Sequence, residues 1–521
     1  MRILSIFLFS LILISCEDAL RSPGKPLMQF DFNNEIVNKG MGKLDIEGDA
    51  MVSYYYGEKD TCLDLMASAK YRKPIIINYQ DDFSFEDYDG YTVSVWIQKA
   101  RNDNESYSVL SQQTYLDGKW LGWELRAENC GSWSWVYRDS IQTWKYQPTS
   151  LRQPVNDGNW HQLTYSYNKN SQEARLYYDG ENVAVYSLFG NTFSIKSVPL
   201  RVGVSPASAS ENIDIFNGRI DNLAVWSRTL ESEEVHTVYR LKEKKKFKRP
   251  VSGDVFKVLT WNIWQGAIHE GKRVGAERIL DVLQSSEADL IMLQEMAGEG
   301  PYLADGLGFY LYQRNKDLGV LSRYPLEEAN NVFRVHNSGC IKVDLGADQK
   351  VFACPISLTE EPRLDSYIKS GNADVDTIIY RENEFRGREI TFILGELRHL
   401  MFTNKNTPMI LGGGFNSGSH LDWTERNQDL HMGLVVEYPV TKQVEKAGFT
   451  DTYRSSHPDE VVDKGYTWST KFKSAFPNRT DFIYSFGEDI HIEESYVLDD
   501  HQVSFPSSHA AVVTVFNLEK K

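Results

Sequence analysis

The chain has 521 residues, 41% hydrophobic and 25% charged, with a formal net charge of −16. That length suits two or three domains with packed cores. The acidic balance excludes a protein that coats nucleic acid unspecifically, which needs a basic surface, but leaves room for a local phosphate pocket. The 12 Trp and 28 Tyr residues suit aromatic-rich β-strands, most of them as core.

In chain order, Met1-Arg2 precedes an apolar run from Ile3 to Ile14, interrupted by Ser5 and Ser10. The run is short for a membrane span and has the size of a signal-peptide core. It ends in Leu13-Ile14-Ser15-Cys16, which resembles the bacterial lipobox. The resemblance implies a signal peptide over residues 1–15, cleavage before Cys16 and lipid on its thiol. It also implies a membrane contact through that lipid and a cell-envelope location, periplasmic or on the outer-membrane surface. An uncleaved anchor attaches the chain to a membrane as well. Cys62, Cys130, Cys340 and Cys354 then lie in an exported setting. Cys340 and Cys354 flank a hairpin folded about Ala347, and two readings stay open: a cross-strand disulfide or a pair of small buried residues. No Cys/His spacing resembles a zinc site.

Residues 27–230 read as many short alternating strands, among them Tyr91–Ile97, Gln162–Tyr167, Ala174–Tyr178 and Asn222–Trp226. Asp179-Gly180 is a strong hairpin turn because glycine accepts positive φ. Three segments resemble the laminin-G/concanavalin A-like jelly roll: Gly158-Asn159-Trp160-His161-Gln162-Leu163, Leu176-Tyr177-Tyr178-Asp179-Gly180, and Gly218-Arg219-Ile220-Asp221-Asn222 onward to Arg228. The resemblance implies an all-β sandwich that binds ligands, often glycans and in some members with Ca²⁺. His161 reads as structural, and no binding residue is assigned in this half. Residues 231–254 follow as a helix and a basic linker, Lys242 to Pro250. A charge run of this kind is ordinarily a solvated face; attraction to anionic lipid is the second reading.

Residues 255–518 alternate strands with helical stretches. Val255–Trp261 ends on Asn262, a helix covers about Gly275 to Ser286, and Leu290–Gln294 ends on Glu295. A β-α-β unit puts both strand ends on one edge of a sheet, so Asn262 and Glu295 reach one site. An amide oxygen and a carboxylate are hard ligands suited to Mg²⁺. Downstream, the apolar run Pro408–Leu411 empties into a glycine-rich turn, Gly412 to Gly414, followed by Asn416. Asp481 opens a further strand, and His509 opens the last.

Thr260-Trp261-Asn262-Ile263, Leu293-Gln294-Glu295, Leu321-Ser322-Arg323-Tyr324-Pro325, Gly413-Gly414-Phe415-Asn416, Arg479-Thr480-Asp481-Phe482-Ile483 and Ser507-Ser508-His509 resemble the ordered motifs of the endonuclease/exonuclease/phosphatase superfamily. Gly448–Arg454 and Gly465-Tyr466-Thr467-Trp468 extend the match. The resemblance implies a deoxyribonuclease I-like, four-layer α/β sandwich that hydrolyses phosphoesters with Mg²⁺ or Mn²⁺. By it, Asn262 and Glu295 hold the metal, Asn416 touches the scissile phosphate, and Asp481 orients His509.

Three positions depart from the pattern. Gly414 stands where the family has the Asp of Gly-Asp-x-Asn, Ser508 where it has the Asp of Ser-Asp-His, and Ser357 where it has a histidine. Losing a positioned base costs about 10²–10⁴-fold in rate, and such losses need not multiply. His420 and Asp422, and separately Asp499, Asp500 and His501, are the acidic and imidazole groups nearest these gaps in sequence. The leading expectation is a weakened or inactive phosphoesterase on an exported lipoprotein. The alternative is a surface protein that binds a glycan or phosphorylated ligand without turnover. Nucleic acid is the less favoured partner on charge grounds.

Overall fold

The computed structural model describes residues 21–33, 35–47, 52–54, 61–68, 73–79, 88–188, 198–206, 214–243, 250–327 and 336–518. The signal peptide, Cys16 and most of the basic linker lie outside the described residues.

The N-terminal half is two facing antiparallel sheets. One runs through Gly90–Lys99, His161–Asn168, Glu173–Tyr178 and Gly218–Trp226, and the other through Tyr107–Leu116, Lys119–Ala127 and Trp133–Arg138. The turn between Glu173–Tyr178 and Glu181–Ser187 has Asp179 at φ 50° and Gly180 at φ 79°, the left-handed pair a tight hairpin needs. Between the sheets Tyr165 packs against the rings of Tyr91, Trp123 and Trp135, at centroid separations of 5.6, 5.2 and 5.5 Å. Trp133 and Tyr186 are buried with them, so these aromatics serve the core. His161 is structural: its ring nitrogens meet Asp179 at 3.0 Å and Asp157 at 3.1 Å.

The helix Ser232–Arg240 closes the sandwich by seating Val235 near Tyr177, Trp226 and Leu230. Beyond the linker two sheets face each other. The first contains Ala511–Leu518, Val255–Asn262, Leu290–Gln294, Leu318–Ser322 and Tyr310–Gln313; the second contains Ile341–Gly346, Gln349–Ser357, Met409–Gly414 and Asp481–Phe486. Val258, Met292 and Val320 from the first sheet meet Val343, Ile410 and Ile483 from the second. Apolar faces of Lys272–Ser286 and Gly300–Leu307 cover the outside of the first sheet. Arg388–Thr403 and Pro439–Lys446 cover the second. These are the four layers the motifs imply.

The expected glycine-rich turn after Leu411 is not a turn. The strand Met409–Gly414 runs straight through the three glycines. Gly412 and Gly413 are small because neighbours come close: a Cβ on Gly413 would sit 1.8 Å from the Ile356 carbonyl oxygen, and one on Gly412 would sit 2.3 Å from Met292 Cε. Glycine is tolerated in a strand where another chain segment makes such an approach. Of the two readings for Cys340 and Cys354, the disulfide is the one found.

The halves are not beads on a linker. Glu181–Ser187 of the sandwich pairs in parallel with Tyr310–Gln313 of the C-terminal half, with Val185 opposite Tyr312. The first C-terminal sheet and one sandwich sheet are thereby one fourteen-stranded sheet. Arg314 reinforces the seam by donating to Ser187 Oγ at 2.6 Å, and the Thr149 N–H donates to Asp305 at 2.8 Å. One apolar cluster continues from Leu176 and Tyr186 to Leu303 and Leu311.

A buried charge network fixes the loops behind the second sheet. Arg479, 1% exposed, donates to both oxygens of Asp422 at 2.9 and 3.0 Å, and to both oxygens of Asp451 at 2.9 and 2.7 Å. Arg454 Nε adds a bond to Asp422 at 2.6 Å. Burial pushes the Asp422 carboxyl up, but the charges of Arg479 and Arg454 outweigh it and hold the group below the usual carboxylate range. Its contribution to stability is therefore complete above about pH 4 and is lost as pH falls through the depressed native value. Arg479→Ala leaves two carboxylates buried without their cation and is expected to cost about 3–5 kcal/mol, read from urea unfolding. A midpoint equal to the parent's would remove the network from its place in the fold.

Candidate active site

Parallel pairing of Val255–Asn262 with Leu290–Gln294 sets Asn262 opposite Gln294, and Glu295 follows directly. Glu295 turns out of the strand at φ 53°. Asn262 Nδ2 donates to Glu295 Oε1 at 2.8 Å, while Asn262 Oδ1 accepts the Trp264 N–H at 2.9 Å. The amide is thus oriented from both ends.

His509 enters from the other direction. Its Nδ1–H donates to Asp481 Oδ2 at 2.9 Å, which leaves Nε2 as the second polar atom of the ring. Asp481 Oδ2 also accepts the hydroxyls of Thr467 at 2.7 Å and Thr480 at 3.0 Å. Burial opposes charging of His509. The charge and hydrogen bond of Asp481, aided by Glu295 and Glu360, outweigh it and raise the imidazole above its ordinary value. Ser507 ties the two sides together: its Oγ donates to the Asn262 carbonyl at 2.6 Å and accepts the His509 N–H at 3.1 Å.

Asn416 sits in the left-handed region at φ 53°, a conformation asparagine accepts more readily than most residues. One N–H of its amide is spent on the Leu358 carbonyl at 2.7 Å. Glu295, Asn416, Ser508 and His509 all line one cleft of about 480 Å³. Asn262 supports Glu295 from beneath, and Asp481 backs His509.

The three departures have distinct surroundings. Gly414 lies in register with Asp481 on one side and Ser357 on the other. A Cβ on Gly414 would meet Asp481 Oδ1 at 3.5 Å and nothing else within 4 Å. That same oxygen is buried and, among the described residues, lacks a hydrogen-bond partner. Ser508 is 1% exposed at the cleft wall. Ser357 is held by its N–H to the Asn337 carbonyl and does not line the cleft.

None of the nearby acids or histidines fills these gaps. Asp422 is committed to Arg479 and Arg454. His420 is held by Thr441 at 2.8 Å and Glu445 at 2.7 Å. His501 faces Asp281 at 3.7 Å, while Asp499 and Asp500 are exposed.

The cleft also has walls that the motifs do not flag. Glu360 and Arg363 come from one loop, and Asp365 opens the short helix Asp365–Lys369 that follows it. Arg386 holds that loop by donating to the carbonyls of Thr359, Glu360 and Pro362, and is itself paired with Glu382 at 2.5 Å. Burial raises the Asp365 carboxyl above its usual range, against a hydrogen bond from Trp468. Trp468 packs on His509 at 4.8 Å; it belongs to the Gly465-Tyr466-Thr467-Trp468 segment, so a signal for it was present in the sequence.

Two family models match the chain. Residues 78–236 match the concanavalin A-like lectin/glucanases superfamily, and residues 259–509 match the endonuclease/exonuclease/phosphatase family. The chain is 29% identical over 226 residues to the uncharacterized protein F14F9.5 of Caenorhabditis elegans, spanning 41% of this chain and 70% of that protein. Among solved structures it is similar to truncated TDP2 from Caenorhabditis elegans, at 18% identity and TM-score 0.36 over 50% of this chain and 98% of that one. It is also similar to the receptor binding domain of botulinum neurotoxin mosaic serotype C/D, at 17% identity and TM-score 0.32 over 63% of this chain and 72% of that one. The N-terminal half is therefore a concanavalin A-like sandwich, and the C-terminal half an endonuclease/exonuclease/phosphatase domain.

Proposed function

We propose that the C-terminal domain is a metal-dependent phosphoesterase with severely weakened turnover. The observation that carries this reading is the open space at Gly414, facing the unpartnered Asp481 oxygen, within a cleft that still gathers Glu295, backed by Asn262, with Asn416 and His509.

The donor chemistry fits Mg²⁺ or Mn²⁺. Glu295 offers a carboxylate to the cleft, oriented by the Asn262 amide N–H, and Mg²⁺ is commonly held by one or two carboxylates completed by water and substrate phosphate. Among the described residues no three His, Cys, Asp or Glu gather as a metal group, so an ion here would rest on Glu295 with water and substrate completing its shell. When bound, such an ion neutralises charge developing on the phosphoryl oxygens. Asn416, in its fixed left-handed turn, keeps one amide N–H to offer a phosphate oxygen. His509, fixed by Asp481, presents Nε2 to the same phosphate as a proton donor or a positive partner. At Gly414 there is no carboxylate to orient or deprotonate water, and Ser508 supplies no second acid beside Glu295.

The Gly414→Asp/Ser508→Asp variant is expected to hydrolyse a generic aryl phosphodiester about 10²-fold or more faster than the parent with Mg²⁺ or Mn²⁺. Gly414 has room for the new side chain. Equal, metal-dependent rates in both proteins would reject the weakened-enzyme reading. Turnover in neither, with phosphate still bound, would favour a phospho-ligand-binding role.

His509 gives a pH test. Its native value is raised, so its contribution to stability and to anion binding is complete below about pH 6.5 and is lost as pH rises through the higher native value. Inorganic phosphate affinity is expected to decline over that window in the parent and to lose that step in His509→Gln. The same decline in both proteins would show that another group titrates.

The run Ile3–Ile14 and Leu13-Ile14-Ser15-Cys16 support placing this domain at the cell envelope on a lipid tether. Labelled palmitate is expected to enter the parent and not Cys16→Ser. Equal incorporation would reject the tether.

A further inference from the structure

Arg386 lines the cleft, and a guanidinium beside a phosphate site invites the reading that it grips the phosphate. Its hydrogen bonds point elsewhere. Nε donates to Glu382 Oε2 at 3.0 Å, and Nη2 to Glu382 Oε1 at 2.5 Å. Nη1 donates to the Thr359 and Glu360 carbonyls at 3.3 and 3.1 Å, and Nη2 to the Pro362 carbonyl at 3.1 Å. A guanidinium has five N–H donors, and these five bonds engage them all. Arg386 is 2% exposed and has no donor left to offer a ligand.

The pair interrupts an apolar stripe. Ile378, Glu382, Arg386 and Ile390 follow at intervals of four through Val375–Glu382, the π turn Asn383–Gly387 and the start of Arg388–Thr403, and all four are buried. Such π turns are frequent at functional sites. A buried ion pair is a weak source of stability, since apolar residues of the same volume often do as well. Apolar residues cannot, however, hold carbonyls and hydroxyls in place.

Glu382 carries the connection onward. Its Oε2 accepts the Ser417 hydroxyl at 3.1 Å, closer than the neutral Gly418 carbonyl at 3.3 Å, and a charged acceptor makes the stronger bond. Ser417 is buried and directly follows Asn416. From the other side, Leu358 donates its N–H to the Gly414 carbonyl at 2.9 Å and accepts from the Asn416 amide at 2.7 Å. The next residue, Thr359, is held by Arg386 and donates its N–H to Glu389 at 2.8 Å. These bonds close a ring from Asn416 through Leu358, the 359–362 carbonyls, Arg386, Glu382 and Ser417 back to Asn416. Asn416 needs that support, because its left-handed backbone, φ 53°, persists only where the surroundings enforce it.

We propose that the Glu382–Arg386 pair is a positioning element for Asn416. It sets the direction of the second amide N–H and does not itself touch the phosphate. This rests on the reading that phosphate binds at Asn416.

The test measures the affinity of the full chain for inorganic phosphate with Mg²⁺ by calorimetry, each variant held well below its thermal midpoint. Asn416→Ala is expected to weaken binding about tenfold, as loss of a hydrogen bond to a charged group does. Ser417→Ala is expected to weaken it about fivefold. In the Asn416→Ala background it is expected to add nothing, because a positioning effect vanishes with the group it positions. Arg386→Lys keeps the charge but cannot hold three carbonyls and a carboxylate together, so its affinity is expected to fall at least as far as that of Asn416→Ala. Should Arg386→Lys fail to fold, the Ser417→Ala cycle decides alone. Should Ser417→Ala fail, Glu389→Ala, which releases the Thr359 N–H, takes its place in the cycle with the same outcome expected. Parent affinity in Ser417→Ala, or losses that add in the double variant, overturns the positioning role while the phosphate site stands. So does parent affinity in Arg386→Lys, which would make charge rather than geometry the useful property. Parent affinity in Asn416→Ala rejects the phosphate site itself, and the proposal with it.

Discussion

A single guanidinium, Arg479, holds the rear of the C-terminal domain in place. It spans Asp422, from the loop after the glycine-bearing strand, and Asp451, at the head of a short helix. Two residues further along the chain is Asp481, whose position sets the ring of His509. Removing these charges from water is expensive, and only their mutual, multiply bonded geometry offsets that. The dependence runs outward: the network fixes the start of the Asp481 strand, the strand fixes the imidazole, and the imidazole faces Glu295 across the cleft. It also explains why Asp422 is lost to chemistry, since its pairing with two arginines holds it away from the cleft wall.

Much of the site was legible in the chain. Asn262 and Glu295 end parallel strands of one β-α-β unit, and that topology alone carries both to one edge. Asp481 opens a strand of the facing sheet and His509 lies just before the last strand of the first, where the Asp481–His509 bond joins the two. The glycines were misread because local composition marks Gly412 to Gly414 as a turn, whereas the cause is non-local. Ile356 and Met292 crowd that strand, and no propensity scale records their approach. The loop bearing Glu360 and Arg363 was invisible for a related reason. Its shape is imposed by Arg386, from a helix more than twenty residues away, through three backbone carbonyls.

The charge state of the cleft follows from what is missing as much as from what is kept. With Gly414 and Ser508 uncharged, the acids that act on His509 are Asp481, Glu295 and Glu360. Such a cleft still suits a phosphate brought with a cation.

The parallel pairing of Glu181–Ser187 with Tyr310–Gln313 has a consequence for how the two halves are inherited. Each would otherwise end in a bare row of amides and carbonyls, an invitation to fibrous assembly. Here each blunts the other. The lectin-like half thus acts as a permanent lid on its neighbour's raw margin, and recombination that swapped either module for a foreign one would have to supply a matching strand or leave a sticky seam.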